Sequence, residues 1–191
     1  MNCRLAKRPY KVHQQREEND MIKFSSGLDM FLWNLFLVGL WHAIIFVATI
    51  KFPTSTFDVS KEMYSPKSWE HSGRFYKDKL KINIWKDRIP QFVGKDGFSK
   101  RHLTDVSIEY LDEFIMETCR GEWSHRKSCL SIIITMLINP LLIGLFFSFL
   151  IILANVPCLM IQRYNRFRLQ TLRKRRLREI NAARVSGTVT A

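Results

Sequence analysis

The chain has 191 residues, with 30 Lys or Arg against 17 Asp or Glu, for a formal charge of +13. Its 47% hydrophobic and 25% charged residues would suit an average soluble domain, but the two kinds are segregated into blocks. Leu28–Ile50 holds one charge, Asp29, in 23 residues, and Cys129–Ile161 holds none in 33. Since about 20 apolar residues cross a bilayer, an ordinary soluble globule is excluded. The 13% aromatic content excludes low-complexity disorder, and the remaining length is too short for a large polytopic transporter.

In chain order, residues 1–27 form a basic N-terminal segment with six Lys or Arg against three acids. Residues 28–50 read as a retained transmembrane anchor rather than a signal peptide. The apolar run exceeds the 7–15 residues typical of a signal, and no small-residue cleavage site follows. His42 inside it reads as a helix-facing or interfacial polar group. Residues 51–128 form a polar, aromatic-rich middle region. There Lys79–Ile84 alternates polar and apolar, which predicts a short strand. Gly94 and Gly97 mark a loop, and Thr104 or Asp105 would cap a following amphipathic helix. That helix presents Ile108, Leu111, Phe114, Ile115 and Thr118 at helical spacing and is expected to lie on the membrane.

Residues 129–161 are too long for one simple span, since 33 residues of helix reach about 50 Å against a hydrocarbon core of about 30 Å. Asn139-Pro140 breaks the segment into a hairpin, or into a re-entrant piece followed by a span. Asn155 and Pro157 are expected to break or kink the end of the second piece. Residues 162–191 form a basic tail, nine Lys or Arg against Glu179. The RKRR block at 173–176 follows an apolar segment, which assigns it to the cytoplasmic face and anionic lipid rather than to nucleic acid. The predicted fold class is mainly α and integral to the cell membrane. It has an N-terminal span, an amphipathic helix running into a Pro-broken hairpin, and a small middle region with little strand. Charge favours both termini in the cytoplasm. Two crossings with a re-entrant or interfacial piece at 123–139 would satisfy this and put residues 51–122 outside, while the number of crossings and the side of that region stay open.

Few residues carry chemistry. Glu122 and His125 stand one helical turn apart, a spacing that reads first as a helix-surface pair at a membrane interface, and after that as a carboxylate holding a general base or, last, as a metal-ligand pair. No second copy supplies further metal ligands, and no metal or cofactor is expected. Cys3, Cys119, Cys129 and Cys158 lack zinc or redox spacing and read as apolar filler. Nucleophile-elbow, Walker and dinucleotide patterns are absent. At the end of the second apolar block, Asn155, Gln162, Arg163, Tyr164, Asn165 and Arg166 gather more polar groups than a snorkelling anchor needs. Binding of a sugar, a phosphate or another helix is equally compatible with them.

The run from Asn155 to Arg166, N-x-P-x-x-x-x-Q-R-Y-N-R, resembles the end of the glycosyl-4,4'-diaponeurosporenoate acyltransferases. Glu70 and Gly73 fall in a similar E-x-x-G stretch, Trp85 and Lys86 match a W-K pair, and Arg101-His102-Leu103 match R-H-L. Glu117, Thr118, Arg120, Glu122 and His125 match E-T-x-R-x-E-x-x-H. The likeness covers about residues 69–170. It departs at Phe167, where the family has proline, and at His71, which is offset by one residue from the family histidine.

The resemblance implies a membrane-bound O-acyltransferase that esterifies a fatty acyl group onto the sugar of a membrane glycolipid. The acceptor would be a glycosylated carotenoid, as in staphyloxanthin-type synthesis, with another membrane glycolipid as the alternative acceptor that the departures leave open. The donor would be acyl-CoA or a membrane lipid. On that reading His125 is the base, Glu122 orients or replaces it, and His102 is the rival base. Arg120, Arg163 or Arg166 would hold the donor headgroup or stabilise charge. Trp85 and Tyr164 would stack on the sugar, and Asn155, Gln162 and Asn165 would bond its hydroxyls, with Glu70 and Lys86 also in the binding set. The competing expectation is a non-enzymatic accessory or glycolipid-binding membrane protein.

Overall fold

Ser26 opens the first helix, its hydroxyl accepting the Asp29 N–H at 3.1 Å. Helix α1 then runs Gly27–Lys51, with Asp29 in its first turn and Lys51 in its last, both suited to the helix dipole. Pro53 follows its extended C-cap, Phe52, and the chain leaves the helix there. The computed structural model describes residues 26–89 and 107–189, with side chains through 185.

After α1 the chain folds into short 3-10 turns at Thr54–Phe57, Glu62–Tyr64 and Ser68–Gly73 and a π-turn at Phe75–Lys79. A single helical turn, α2 (Ile82–Trp85), and a last 3-10 turn, Lys86–Arg88, complete the middle region. The strand expected at Lys79–Ile84 does not form, and no strand occurs among the described residues. Lys81 takes a left-handed φ of 50°, Ile82 is buried against Tyr76, Ile161 and Tyr164, and Ile84 is exposed. The alternation therefore reflects one-sided burial of a coil, which has no neighbouring strand to pair with.

Helix α3 spans Ile108–Ser128, and its cap is Ser107, whose hydroxyl accepts the Tyr110 N–H at 3.4 Å. Thr104 and Asp105, the expected caps, lie outside the described residues together with His102, Gly94 and Gly97. Leu111, Phe114, Ile115 and Thr118 are buried along one face of α3, as the helical spacing predicts. Helix α4 (Ser131–Ile138) follows almost at once. Asn139 is extended, and α5 runs Leu141–Val189.

Helix α5 passes through Pro157 without interruption, so the expected break near Asn155 and Pro157 is corrected. A proline fits helical φ and removes one hydrogen bond, which an apolar helix packed against neighbours tolerates. The basic tail is therefore the continuation of this same helix. α1 and α5 are each long and apolar enough to cross a membrane. Only 11% of the apolar window of α1 and 28% of that of α5 is buried inside the protein, unlike the core helix of a soluble domain.

Contacts along the bundle fix the directions of the rods. Phe31 meets Phe147 and His42 meets Asn155, so α1 and α5 rise in parallel. Asn34 meets Asn139, Trp41 Nε1 donates to the Lys127 carbonyl at 2.9 Å, and Phe52 meets Trp123, so α3 and α4 descend against them. Asn34 and Asn139 exchange amide hydrogen bonds of 2.9 and 2.7 Å, joining α1 to the α4–α5 connection. At the other end Arg163 bonds Glu70, and Arg173 bonds Asp112. The middle region and the start of the tail thus share one end of the bundle, and the Gly27 end of α1 lies at the opposite end. The contacts of Glu70 and Asp112 with α5 set the described part of the middle region beside the start of the tail, where the two-crossing arrangement had placed residues 51–122 across the membrane from it.

Candidate active site and family membership

The QRYNR run lies on α5 where it faces the middle region and α3, and Gln162, Arg163, Tyr164, Asn165 and Arg166 are all buried. Arg163 joins three segments. Its Nε donates to Glu70 Oε1 at 2.5 Å and its NH2 to Glu70 Oε2 at 2.6 Å, a two-pronged pair. NH1 donates to Glu122 Oε1 at 2.7 Å, and NH2 also reaches the Ser65 carbonyl at 3.0 Å. Arg166 donates to Glu122 Oε2 and to Cys119 Sγ at 3.4 Å, and its guanidinium lies over the Tyr64 ring. Arg126 reaches Glu122 Oε1 at 2.5 Å from one turn along α3.

Both carboxylates in this network have fully buried side chains. Glu70 also accepts the Tyr76 hydroxyl at 2.5 Å and the Lys67 backbone N–H at 2.6 Å. Burial pulls the Glu70 carboxyl up, but the hydrogen bonds from Arg163, Tyr76 and Lys67 together hold it below its ordinary value. Burial pushes the Tyr64 phenol up to about 12. Burial likewise raises the Cys119 thiol, with Arg166 opposing, so Cys119 stays a protonated thiol at neutral pH.

These contacts give several of the expected site residues partners inside the protein. Arg163 and Arg166, expected to hold a donor headgroup, close internal ion pairs. Glu122, expected to orient His125, has its two oxygens taken by three guanidinium groups. His125 Nδ1 lies 3.1 Å from Asn155 Oδ1. Asn155 Nδ2 donates to the Ile151 carbonyl at 3.0 Å and lies 3.3 Å from His42 Nε2.

The other expected binding residues fall into separate places. Tyr164 donates to Asn83 Oδ1 at 2.6 Å and lies under Arg168, and Trp85 Nε1 donates to the Leu80 carbonyl at 2.9 Å. Both rings belong to the cluster around Ile82 and Ile161. Lys86 pairs with Asp87 at 2.5 Å, and Arg120 lies over Phe57 with Glu117 at 3.4 Å. Gln162 packs against Gly121, where an added Cβ would sit 2.7 Å from its side chain. Among the described residues no three His, Cys, Asp or Glu side chains gather as a metal site.

Gly73 explains the E-x-x-G spacing. His71, Ser72 and Gly73 have φ of 47°, 57° and 89°, a left-handed run that turns the chain directly after Glu70. An added Cβ at Gly73 would meet Phe167 Cβ at 3.0 Å, so both the conformation and the close approach require glycine.

The sequence profile of the glycosyl-4,4'-diaponeurosporenoate acyltransferases matches residues 60–175, which include both halves of the ion network. The chain belongs to this family. A glycosyl-4,4'-diaponeurosporenoate acyltransferase of Staphylococcus haemolyticus (strain JCSC1435) is 28% identical over 151 residues, covering 74% of this chain and 88% of the relative. Proteins of the same description from Staphylococcus aureus strains MRSA252 and USA300 are each 31% identical over 124 residues, covering 64% of the chain and 74% of the relative. No solved structure matches. His42, which the sequence offered as a helix-facing or interfacial polar group, lies beside Asn155, the partner of His125. Its one visible signal was an imidazole inside an otherwise apolar helix.

Proposed function

We propose that this acyltransferase esterifies a fatty acyl group onto a sugar hydroxyl of a membrane glycolipid, with a glycosylated carotenoid as acceptor. The relatives' shared name supports the acceptor class. The observation that carries the chemistry is His125, held by Asn155 where α3 enters the bundle. Asn155 precedes Arg163 by eight positions, about 12 Å of helix rise, so the imidazole lies on the membrane side of the ion network. An acyl chain and a lipid-linked sugar both reach that depth.

In this reading the sugar hydroxyl gives its proton to His125, and its oxygen attacks the acyl carbonyl carbon. The tetrahedral intermediate then expels the donor's thiol or alcohol, which takes the proton back from the imidazole. One ester forms as one acyl–donor bond breaks. The ion network works at a distance. Arg163 ties the middle region and α3 to α5, which sets the spacing at which His125 meets Asn155. The nine basic residues of the tail favour the cytoplasmic side for that end of the bundle, where a water-soluble acyl-CoA is available as donor.

The test is lipid mass spectrometry of cells with and without the protein, and with His125→Ala at equal membrane level. The expected result is accumulation of the deacylated glycolipid in both the deletion and the variant, with transfer lowered about 100-fold or more by losing the base. His102→Ala is the control. Full transfer by His125→Ala, with loss in His102→Ala, would move the base to His102. Full transfer by both would end the histidine reading.

A further inference from the structure

We infer that His42 is a positioning residue for the reaction, completing a hydrogen-bonded chain that holds the His125 imidazole in the tautomer with its lone pair on Nε2. The inference rests on the proposed role of His125 as base. It concerns a residue outside the profile-matched segment.

The polarity of the chain follows from its two carbonyl ends. The Ile151 carbonyl can only accept, so the Asn155 atom 3.0 Å from it is the amide nitrogen, and the amide cannot be turned round. The same nitrogen lies 3.3 Å from His42 Nε2, so its second hydrogen points there and Nε2 must accept. A neutral His42 accepting at Nε2 carries its proton on Nδ1. That atom lies 2.8 Å from the Val38 carbonyl, which again can only accept. Both carbonyls therefore demand the same assignment. Asn155 Oδ1 is left facing His125 Nδ1 at 3.1 Å, so His125 donates from Nδ1 and its basic lone pair lies on Nε2.

A base held by a second polar group, itself held by a third, is the arrangement by which a carboxylate or amide orients a catalytic imidazole. Here the third group stands on α1 and the base on α3, with α5 between them. The arrangement makes α1 part of the working site as well as an apolar anchor. An isolated histidine in an apolar helix would otherwise have little reason to be half-buried and aimed at an amide.

The experiment uses full-length protein in lipid nanodiscs, with 15N-labelled histidine for spectra and a deuterated long-chain acyl-CoA plus deacylated glycocarotenoid for kinetics. His125 in the wild type is expected to be protonated on Nδ1. His42→Leu should lower kcat by about tenfold, toward the lower end of what outer hydrogen-bond partners contribute, with KM for acceptor and donor unchanged. It should also shift His125 toward the Nε2-protonated form. His42→Gln, whose side-chain carbonyl can accept from Asn155, should restore kcat to within about threefold and return the tautomer. The inference is overturned if wild-type His125 is protonated on Nε2, a reading that needs no variant to fold. It is also overturned if His42→Leu keeps wild-type kcat, or if a folded His42→Gln is no better than His42→Leu. The tautomer is read without turnover. An active His125→Ala therefore removes the base assignment and leaves the measured chain standing, whereas a wrong tautomer removes the chain alone.

Discussion

Replacing Arg163 by alanine removes a side chain that donates to Glu70 twice, to Glu122 once and to the Ser65 carbonyl once. Two fully buried carboxylates lose their shared counter-ion. Neither is left bare, since Glu70 keeps Tyr76 and the Lys67 amide, and Glu122 keeps Arg126 and Arg166. Breaking a buried pair from one side costs about 3–5 kcal/mol, a large part of the roughly 5–15 kcal/mol that holds a typical protein folded. At roughly 2–4 °C per kcal/mol for a chain of this size, the melting temperature should fall by about 6–20 °C. Arg163→Lys keeps the charge but cannot grip both carboxylates, so it should fall in between. Arg173→Ala breaks a pair whose side chains are 34% and 48% exposed, and should cost less than about 1 kcal/mol. The assay is size-exclusion chromatography of the solubilised full-length protein after stepwise heating. Adding Glu70→Gln to Arg163→Ala should recover part of the loss, because one buried charge is then removed with its partner. Equal melting of Arg163→Ala and Arg173→Ala would refute the network as the tie between the middle region and α5.

Gly73→Ala should destabilise by about 1–3 kcal/mol, from a left-handed φ of 89° and the contact with Phe167, read in the same heating assay. Acid should weaken the fold through Glu70. Its folded carboxyl lies below the ordinary 4.5, so its contribution is complete above that value and is lost as pH falls through the lower folded value. A melting series across that range should show a shallower acid loss in Glu70→Gln than in wild type. Asn34→Leu strands the Asn139 amide, which then keeps only the Thr135 carbonyl as a protein partner for its nitrogen. It should cost about 1–2 kcal/mol, and Asn34→Leu with Asn139→Leu should cost less than the single changes added together.

The helical character of the chain and its two long apolar helices are legible in residue order, because uncharged runs and helical spacing are local signals that carry over directly into rods. The buried face of α3 at Leu111, Phe114, Ile115 and Thr118 is such a case. The ordered fragments E-x-x-G, E-x-x-H and QRYNR likewise pointed to the acyltransferase family that the profile match establishes. Their roles were not legible, because a side chain's role depends on what faces it across the bundle. Glu122 and His125 are neighbours on one helix, yet one turns to the arginines of α5 and the other to Asn155. The alternating run at Lys79–Ile84 would have been a strand had a partner strand lain beside it. Pro157 would have ended a helix in water, but packing and apolar surroundings carry α5 through it. The partnership of His42 with Asn155 joins residues 113 positions apart in the chain. Only the parallel rise of α1 and α5 brings them together, and no spacing rule along one strand of sequence encodes that.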